Sequence, residues 1–129
     1  VSVQYDMLST VKDLVNSKAI ISTDGISMVP TLLGKTNQQK KHRFLYFEYP
    51  ENGGQVAIRY GNWKAIKTGV IKNPFARWQL YHLKDDPSEK TDLADRYPKL
   101  LKTLNGLVRS QHVDTDIIQW NFVKQDSFK

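Results

Sequence analysis

The residue types that most often perform catalysis or bind metals are sparse in this chain, and their spacing matches none of the common catalytic motifs. The chain has three histidines and no cysteine, which excludes a thiol nucleophile and a zinc site with cysteine ligands. His42, His82 and His112 lack the His-x-His or His-Glu-x-x-His spacing that brings metal ligands together. A glycine-rich phosphate loop and a Gly-x-Ser-x-Gly elbow are also missing. The residues alone therefore predict neither a catalytic residue nor a metal site.

A polar hairpin tip is the stretch where side chains could meet a ligand. Glu48, Glu51, Gln55 and Arg59 flank two consecutive glycines. Polar groups held on a rigid hairpin can contact a ligand, and paired glycines permit close approach of the backbone. The same pattern is typical of an ordinary glycine turn, which the pattern alone favours. The sequence therefore leaves two interpretations of this stretch: a tip that contacts a ligand, and a simple turn.

An antiparallel sheet is needed to position this tip. Aromatic and β-branched residues alternate with polar ones from Arg43 to Leu83, and each run ends at a turn signal. Gly61-Asn62 can close a tight hairpin because both residue types tolerate positive φ. The pattern predicts a meander of four strands: Arg43–Tyr49, Gln55–Tyr60, Trp63–Lys67 and Trp78–Leu83.

Both faces of this sheet are predicted to be covered. On the first strand, alternation places Leu45 and Phe47 on one face and Phe44 and Tyr46 on the other. Both sets are apolar, and exposed apolar surface of this extent is unusual in a monomer. We expect one cover to come from this chain and the other from a partner or a missing domain.

Helical periodicity appears on either side of the predicted sheet. Ser2–Asn16 has apolar residues at helical spacing, which predicts a helix with one buried stripe. That stripe comprises Val3, Met7, Leu8, Val11, Leu14 and Val15. A short helix is predicted over Met28–Leu33, and a longer one over Tyr97–Gln111, lying across one face of the sheet. The apolar tail around Trp120 is expected to pack back or to dock elsewhere.

The composition indicates one α+β domain. The chain has 129 residues, of which 40% are hydrophobic and 25% charged, as in globular proteins. No stretch approaches the roughly 18 apolar residues that would span a membrane. The formal net charge is +6, but the local basic run Lys40–Arg43 is short, which favours a solvated surface over an interaction tail.

Three ordered motifs resemble the C-terminal part of the type I sulfatases. They are DGISMVPTLLG at Asp24–Gly34, LYFEY with GGQVAIRYGNWKAIK within Leu45–Lys67, and QLYHLKDDPSEKTDLA at Gln79–Ala94. The resemblance is closest to bacterial arylsulfatases and to enzymes of the N-acetylgalactosamine-6-sulfatase kind. It covers Gln4 to His112, nearly the whole chain.

Some positions depart from the family's pattern. The run Gln4–Leu14 resembles a family helix with the pattern Asp-x-x-Pro-Thr, but Ser9 replaces the proline. His82 stands where the family often has Asp, and Asp92 where it often has Asn. We expect neither of these last two changes to alter the fold.

The resemblance implies where the chemistry of such an enzyme lies. In this family a large N-terminal α/β domain holds the active site. A smaller C-terminal subdomain, a four-stranded antiparallel sheet with a long helix, packs against it and helps to wall the substrate pocket. The nucleophile is a formylglycine made within Cys/Ser-x-Pro-x-Arg, a motif that this chain lacks. Calcium and formylglycine are therefore expected in a missing N-terminal domain, and no cofactor or catalytic residue is assigned to this chain.

The resemblance thus implies an inactive C-terminal fragment of a sulfatase. Residues 1–42 would form a junction helix and loop, 43–83 the sheet, 95–112 the helix and 113–129 the tail. The expected partners are the N-terminal catalytic domain of the same parent and a sulfated glycan or aryl sulfate. The parent would be periplasmic or secreted in a bacterium. Glu48, Glu51, Gln55 and Arg59 are the residues expected to contact substrate or to support those that do.

Two other functions remain as alternatives. A stand-alone module for anionic glycans would use the net charge of +6 and the hairpin tip. A nucleic-acid binder is supported by the charge alone, since no aromatic RNA-binding motif, helix-turn-helix signal or zinc finger is present. No nucleic acid is therefore expected among the partners.

Overall fold

The computed structural model describes residues 1–128. It comprises two compact units, Val1–His42 and Arg43–Lys129. The last residue of the predicted tail, Lys129, lies outside the described residues. Among the described residues, no helix is long and apolar enough to cross a membrane.

The first unit consists of short helices held together by a buried aspartate. Helix α1 spans Asp6–Leu14, helix α2 spans Val29–Leu32, and a 3₁₀ turn spans Thr36–Gln38. The Asp6 carboxylate accepts hydrogen bonds from the backbone N–H groups of Val3 and Ile26. These bonds tie the start of α1 to the segment that leads into α2.

The apolar stripe of α1 is exposed, and its predicted burial is wrong. Asp6 and Thr10 are the buried residues of this helix. The Thr10 hydroxyl donates to the carbonyl oxygen of Asp6 and accepts from the N–H of Met28. These polar contacts turn one side of the helix inward, which leaves its apolar side open. The exposed side chains are Met7, Leu8, Val11, Leu14 and Val15.

The second unit is built on a four-stranded antiparallel sheet. Strands β1 (Leu45–Tyr49), β2 (Gln55–Tyr60), β3 (Trp63–Thr68) and β4 (Gln79–His82) lie in the order β1-β2-β3-β4. This meander confirms the predicted α+β fold class. Each strand lies within two residues of its predicted bounds, because the turns that separate the strands are marked in the sequence.

Helix α3, Pro98–Gln111, covers one face of the sheet. Leu104 and Val108 of α3 are buried in one core cluster with Val56, Ile58 and Leu80 of the sheet. Three 3₁₀ segments accompany it: Ala94–Arg96, Ile118–Trp120 and Gln125–Phe128. The last of these returns to the core, where Val123 and Phe128 are buried. The tail therefore packs back in part, whereas Ile118 and Trp120 stay exposed.

The opposite face of the sheet is only partly covered within this chain. Leu45 and Tyr81 are buried on this face, but Phe47 and Tyr49 are 41% and 46% exposed. The register pairs Phe47 with Ala57, so the open region continues from β1 to β2. Cover by a partner or a further domain stays a prediction for this face.

Candidate functional site

The first hairpin tip is a well-anchored turn. Asn52, Gly53 and Gly54 all have positive φ, and the N–H of Gly54 bonds the carbonyl oxygen of Glu51. The carbonyl oxygens of Gly54 and Gly53 accept from the N–H groups of Val70 and Ile71, at 3.1 and 3.0 Å. The tip is thereby fastened to the loop between β3 and β4, which gives its side chains a rigid base.

Glu48 lies under helix α3 and links it to the sheet. Its Oε1 is 2.6 Å from Nδ1 of His112, the residue that directly follows α3, and also accepts from the Tyr46 hydroxyl. The His112 side chain is 2% exposed, and its Nε2 lies 3.3 Å from Asp114 Oδ1. Burial, with the hydrogen bond to Glu48, raises the pKa of the Tyr46 phenol. Glu48 therefore holds α3 against β1.

The other three tip residues lie elsewhere. Glu51 is exposed in the turn and accepts from the Tyr49 hydroxyl at 2.8 Å. Gln55 and Arg59 share one face of β2, opposite to the face that carries Glu48, because Glu48 pairs with Val56. The Arg59 Nε–H donates to the carbonyl oxygen of Gly61 at 3.4 Å. The structure thus brings Gln55 and Arg59 to one surface and separates Glu48 from them; their contact with substrate stays a prediction.

Each histidine binds a carboxylate of its own. His42 Nε2 is 2.8 Å from Asp6 Oδ1, and His82 Nδ1 is 2.6 Å from Asp85 Oδ2. Within residues 1–128, no group of three or more His, Cys, Asp or Glu side chains is arranged to hold a metal ion. These pairs hold local structure, and the described part of the chain offers no ligand set for a metal.

A second surface, which the sequence did not single out, lies where the loop before β4 meets the start of α3. A pocket of about 410 Å³ is present there. It is lined by Arg77, Trp78, Ala94, Asp95, Pro98 and Leu101. Its lining comes from two separate segments, residues 77–78 and 94–101, which no local pattern in the sequence joins.

Asp92 organises this second surface. Its Oδ1 accepts from the N–H groups of Leu80 and Ala94, at 3.0 and 2.9 Å, and its Oδ2 lies 3.3 Å from Arg77 Nη2. Arg77 also lies 3.1 Å from Asp95. An amide at position 92 would retain the Oδ1 acceptor, which explains how aspartate and asparagine can serve the same role there.

Lys67 is buried beside Trp78, which lines this pocket. Its Nζ donates to the carbonyl oxygen of Ser127 at 2.9 Å and lies 5.1 and 5.3 Å from the ring centres of Trp78 and Phe128. Burial lowers the pKa of this ammonium group. The two rings and the carbonyl oxygen partly replace the water that the charge loses, and the contact holds the C-terminal segment on the sheet.

Comparison with known proteins gives consistent matches. Arylsulfatase K of Gallus gallus is 28% identical in an alignment of 115 positions that covers 81% of this chain and 21% of that protein. A crystallised protein of Bacteroides thetaiotaomicron, assigned as a sulfatase, is 27% identical with a TM-score of 0.67. The match covers 90% of this chain and 28% of that protein. A 2-O GAG sulfatase matches over the same shares, with 27% identity and a TM-score of 0.66.

The chain is similar to a sulfatase C-terminal region. This outcome confirms the resemblance that the three motifs carry, although no family model matches the chain. The chain spans about a fifth of the chicken sulfatase and just over a quarter of the two bacterial ones. The sulfatase motif Gln79–Ala94 contains Asp92, whose hydrogen bonds join β4 to the segment before α3.

Proposed function

We propose that this chain is the C-terminal region of a larger enzyme that hydrolyses sulfate esters, on a glycan, and that it walls the substrate pocket of that enzyme. The observation that carries the proposal is the match itself. Nine tenths of this chain superimposes on little more than a quarter of a sulfatase. The parent would then contain a further domain of several hundred residues, and we expect it, from the family resemblance of the motifs, to be periplasmic or secreted in a bacterium.

The open apolar surfaces support this role. Met7, Val11 and Leu14 of α1 are each about half exposed. Removing a large apolar side chain from water is worth about 1.5–3 kcal/mol, so an exposed stripe of this kind favours a covering partner. The occupant that we propose is the preceding part of the same parent chain, since the relatives are about three to four times as long as this chain.

The chemistry also points to a separate catalytic domain. Hydrolysis of a sulfate monoester needs a nucleophile and fixed positive groups that stabilise the charge developing on the leaving oxygen. The polar groups described above are used in structural pairs: Glu48 with His112, Arg77 with Asp92 and Asp95. We therefore expect formylglycine and calcium to be supplied by the other domain, and this chain alone to be inactive.

A comparison of activities tests this proposal. The chain alone and the parent, extended by its upstream coding sequence, are assayed on an aryl sulfate and on 2-O- and 6-O-sulfated glycosaminoglycan disaccharides. We expect turnover by the parent only. Turnover by the isolated chain, an inactive parent, or an upstream sequence without Cys/Ser-x-Pro-x-Arg would contradict the proposal.

The role in the pocket wall is tested in the parent. Gln55→Ala and Arg59→Ala are expected to raise KM for a glycan substrate more than for a small aryl sulfate, because only the glycan extends beyond the sulfated ring. Lys102→Ala, on the exposed side of α3, serves as the control and should change neither. Equal effects on both substrates would show that the two residues act through structure alone.

A stand-alone module for anionic glycans is the alternative, and it rests on the net charge of +6. Two of the basic side chains are held in ion pairs, since Lys64 lies 2.7 Å from Glu89 and Arg77 contacts two aspartates. Retention on heparin would distinguish the two roles. A module should stay bound at physiological salt, whereas binding through diffuse charge should be lost as salt screens it.

A further inference from the structure

We propose that the pocket beside Trp78 binds an uncharged sugar ring. The inference extends the proposed function, since it concerns an unsulfated ring of the glycan on which the parent would act. The pocket is a shallow depression of about 410 Å³ that is largely open to solvent, so a sugar ring would lie against it rather than be enclosed by it. A single pyranose ring is smaller than this, so one ring with part of a neighbour would fit.

The apolar part of the pocket suits the flat face of a sugar. Trp78 is half-buried, and its indole N–H donates to Asn105 Oδ1 at 3.0 Å, which sets the orientation of the ring. Pro98 and Leu101 from α3, together with Ala94, complete the apolar lining. Lys67 and Phe128 lie against Trp78, so the row of C–H bonds on one face of a pyranose would pack on the part of the indole that lines the pocket.

The polar part of the pocket suits hydroxyl groups. Arg77 and Asp95 form an ion pair at its edge, and their side chains are 61% and 86% exposed. The guanidinium group has five N–H donors and the carboxylate about four acceptor sites, so both retain capacity after they pair. A donor and an acceptor held 3.1 Å apart match two adjacent hydroxyls of a sugar, one of which accepts while the other donates.

Charge selects against a sulfated ring at this position. One guanidinium group faces two carboxylates, Asp92 and Asp95, so this ion-paired cluster carries a formal charge of −1. The nearby ammonium of Lys67 is buried against the Trp78 ring and donates to the carbonyl oxygen of Ser127. A sulfate placed there would meet an arginine that is already neutralised and an exposed carboxylate. The ligand class is therefore a neutral saccharide, and the position differs in chemistry from one that would hold a sulfate ester.

The test is a binding titration of the chain with saccharides. Chitotetraose, cellotetraose and a galactotetraose serve as neutral probes, and a heparin tetrasaccharide as the sulfated one. The readout is the Trp78 indole N–H signal in a two-dimensional NMR spectrum, with the Trp63 and Trp120 indoles as internal references. We expect a neutral probe to shift the Trp78 signal with a dissociation constant of about 1 mM, typical of weak binding, and the sulfated probe to leave it unchanged.

Surface variants separate binding from folding. Asp95→Ala and Arg77→Ala should each weaken binding by about fivefold or more, whereas Arg43→Ala, an exposed arginine away from this loop in the sequence, should leave it unchanged. A probe concentration of about 10 mM would nearly saturate a site with a dissociation constant of about 1 mM. If none of the neutral probes shifts the Trp78 signal at that concentration, the inference is overturned. Stronger binding of the sulfated probe, or equal loss in Arg43→Ala, would overturn it as well. This assay measures binding and needs no turnover. If the chain binds a saccharide but its parent is inactive, the proposed function is refuted and the inference about the pocket still stands.

Discussion

At the scale of single residues, burial decides what a glutamate does at the hairpin. Glu48 and Glu51 each accept a hydrogen bond from a tyrosine two residues earlier in the chain. Glu48 lies under α3 and also binds His112, whereas Glu51 lies in the exposed turn. The same local pattern is therefore a structural link in one case and a surface contact in the other.

We expect Glu48→Ala to destabilise the second unit by about 1–3 kcal/mol, because the hydroxyl of half-buried Tyr46 and Nδ1 of buried His112 lose their partner. Urea unfolding, followed by tryptophan fluorescence, measures the change in the free energy of unfolding. Glu51→Ala is the matched control and should stay within about 0.5 kcal/mol of the original protein, as surface substitutions usually do. Similar losses in both variants would contradict the structural role of Glu48.

Asp6 is the second residue whose surroundings determine its role. Burial raises the pKa of its carboxyl, but the N–H groups of Ile26 and Val3 and the His42 side chain together lower it below the ordinary value of 3.8. A carboxyl whose pKa is lowered by folding stabilises the folded state above its unfolded pKa. That contribution is lost as the pH falls through the folded value.

The first unit should therefore lose stability when the pH falls below about 4. The protection of the Ile26 amide against hydrogen exchange reports this directly, since that N–H donates to Asp6 Oδ1 at 2.8 Å. Asp6→Asn should lower the protection at neutral pH and remove most of its decline in acid. Asp13→Asn removes an exposed carboxylate from the same helix and should preserve the decline. An equally steep decline in Asp6→Asn would show that another group is responsible.

At the scale of elements, two loops hold the meander in register. The tip between β1 and β2 is bonded through Gly53 and Gly54 to the loop between β3 and β4. Gly54 is also packed closely, because a Cβ there would lie 2.8 Å from Ile71 and 2.9 Å from Phe122. The β1–β2 tip and the loop between β3 and β4 are therefore part of the rigid framework of the sheet.

Gly54→Ala should be costly for two reasons, its positive φ of 79° and the lack of space for a methyl group. Gly61→Ala separates these causes, because Gly61 also has positive φ but a Cβ there would meet no atom within 4 Å. We expect a loss of about 1 kcal/mol for Gly61→Ala from backbone strain alone, and about 1–3 kcal/mol more for Gly54→Ala from overpacking. Equal midpoints in urea would mean that the loop between β3 and β4 moves aside at no cost.

At the scale of the whole molecule, the buried apolar core belongs to the second unit. The fully buried aliphatic side chains Val56, Ile58, Leu80, Leu104 and Val108 all lie in residues 43–129. The first unit instead depends on polar contacts around Asp6. The single domain predicted for residues 1–129 stays a prediction.

We expect residues 43–129, produced as a separate protein, to fold, because the sheet, α3 and the returning C-terminal segment complete one core. Overlay of its amide NMR spectrum on that of the full chain is the measurement, and most signals of the sheet and α3 should superimpose. A narrow spectrum typical of an unfolded chain would show that residues 1–42 are required, and would support the single-domain prediction.

The sequence by itself determined the elements of the sheet region and the family resemblance. Strand β2 matches its predicted bounds, and α3 differs by one residue at its start, because alternation, turn residues and helical spacing are local signals. The motifs that carry the resemblance are contiguous stretches such as Gln79–Ala94. They could be recognised without a fold.

Only the tertiary structure decided which surfaces are buried and which side chains meet. The apolar side of α1 was expected inside, but the hydrogen bonds of Asp6 and Thr10 to distant backbone groups turn it outward. Glu48 was grouped with Gln55 and Arg59 by proximity in sequence, and the register of the hairpin places it on the opposite face. The pocket of Arg77, Trp78 and Asp95 joins residues from two segments. These outcomes depend on long-range pairing, which local periodicity does not contain, and this is the physical reason that the sequence alone could not reveal them.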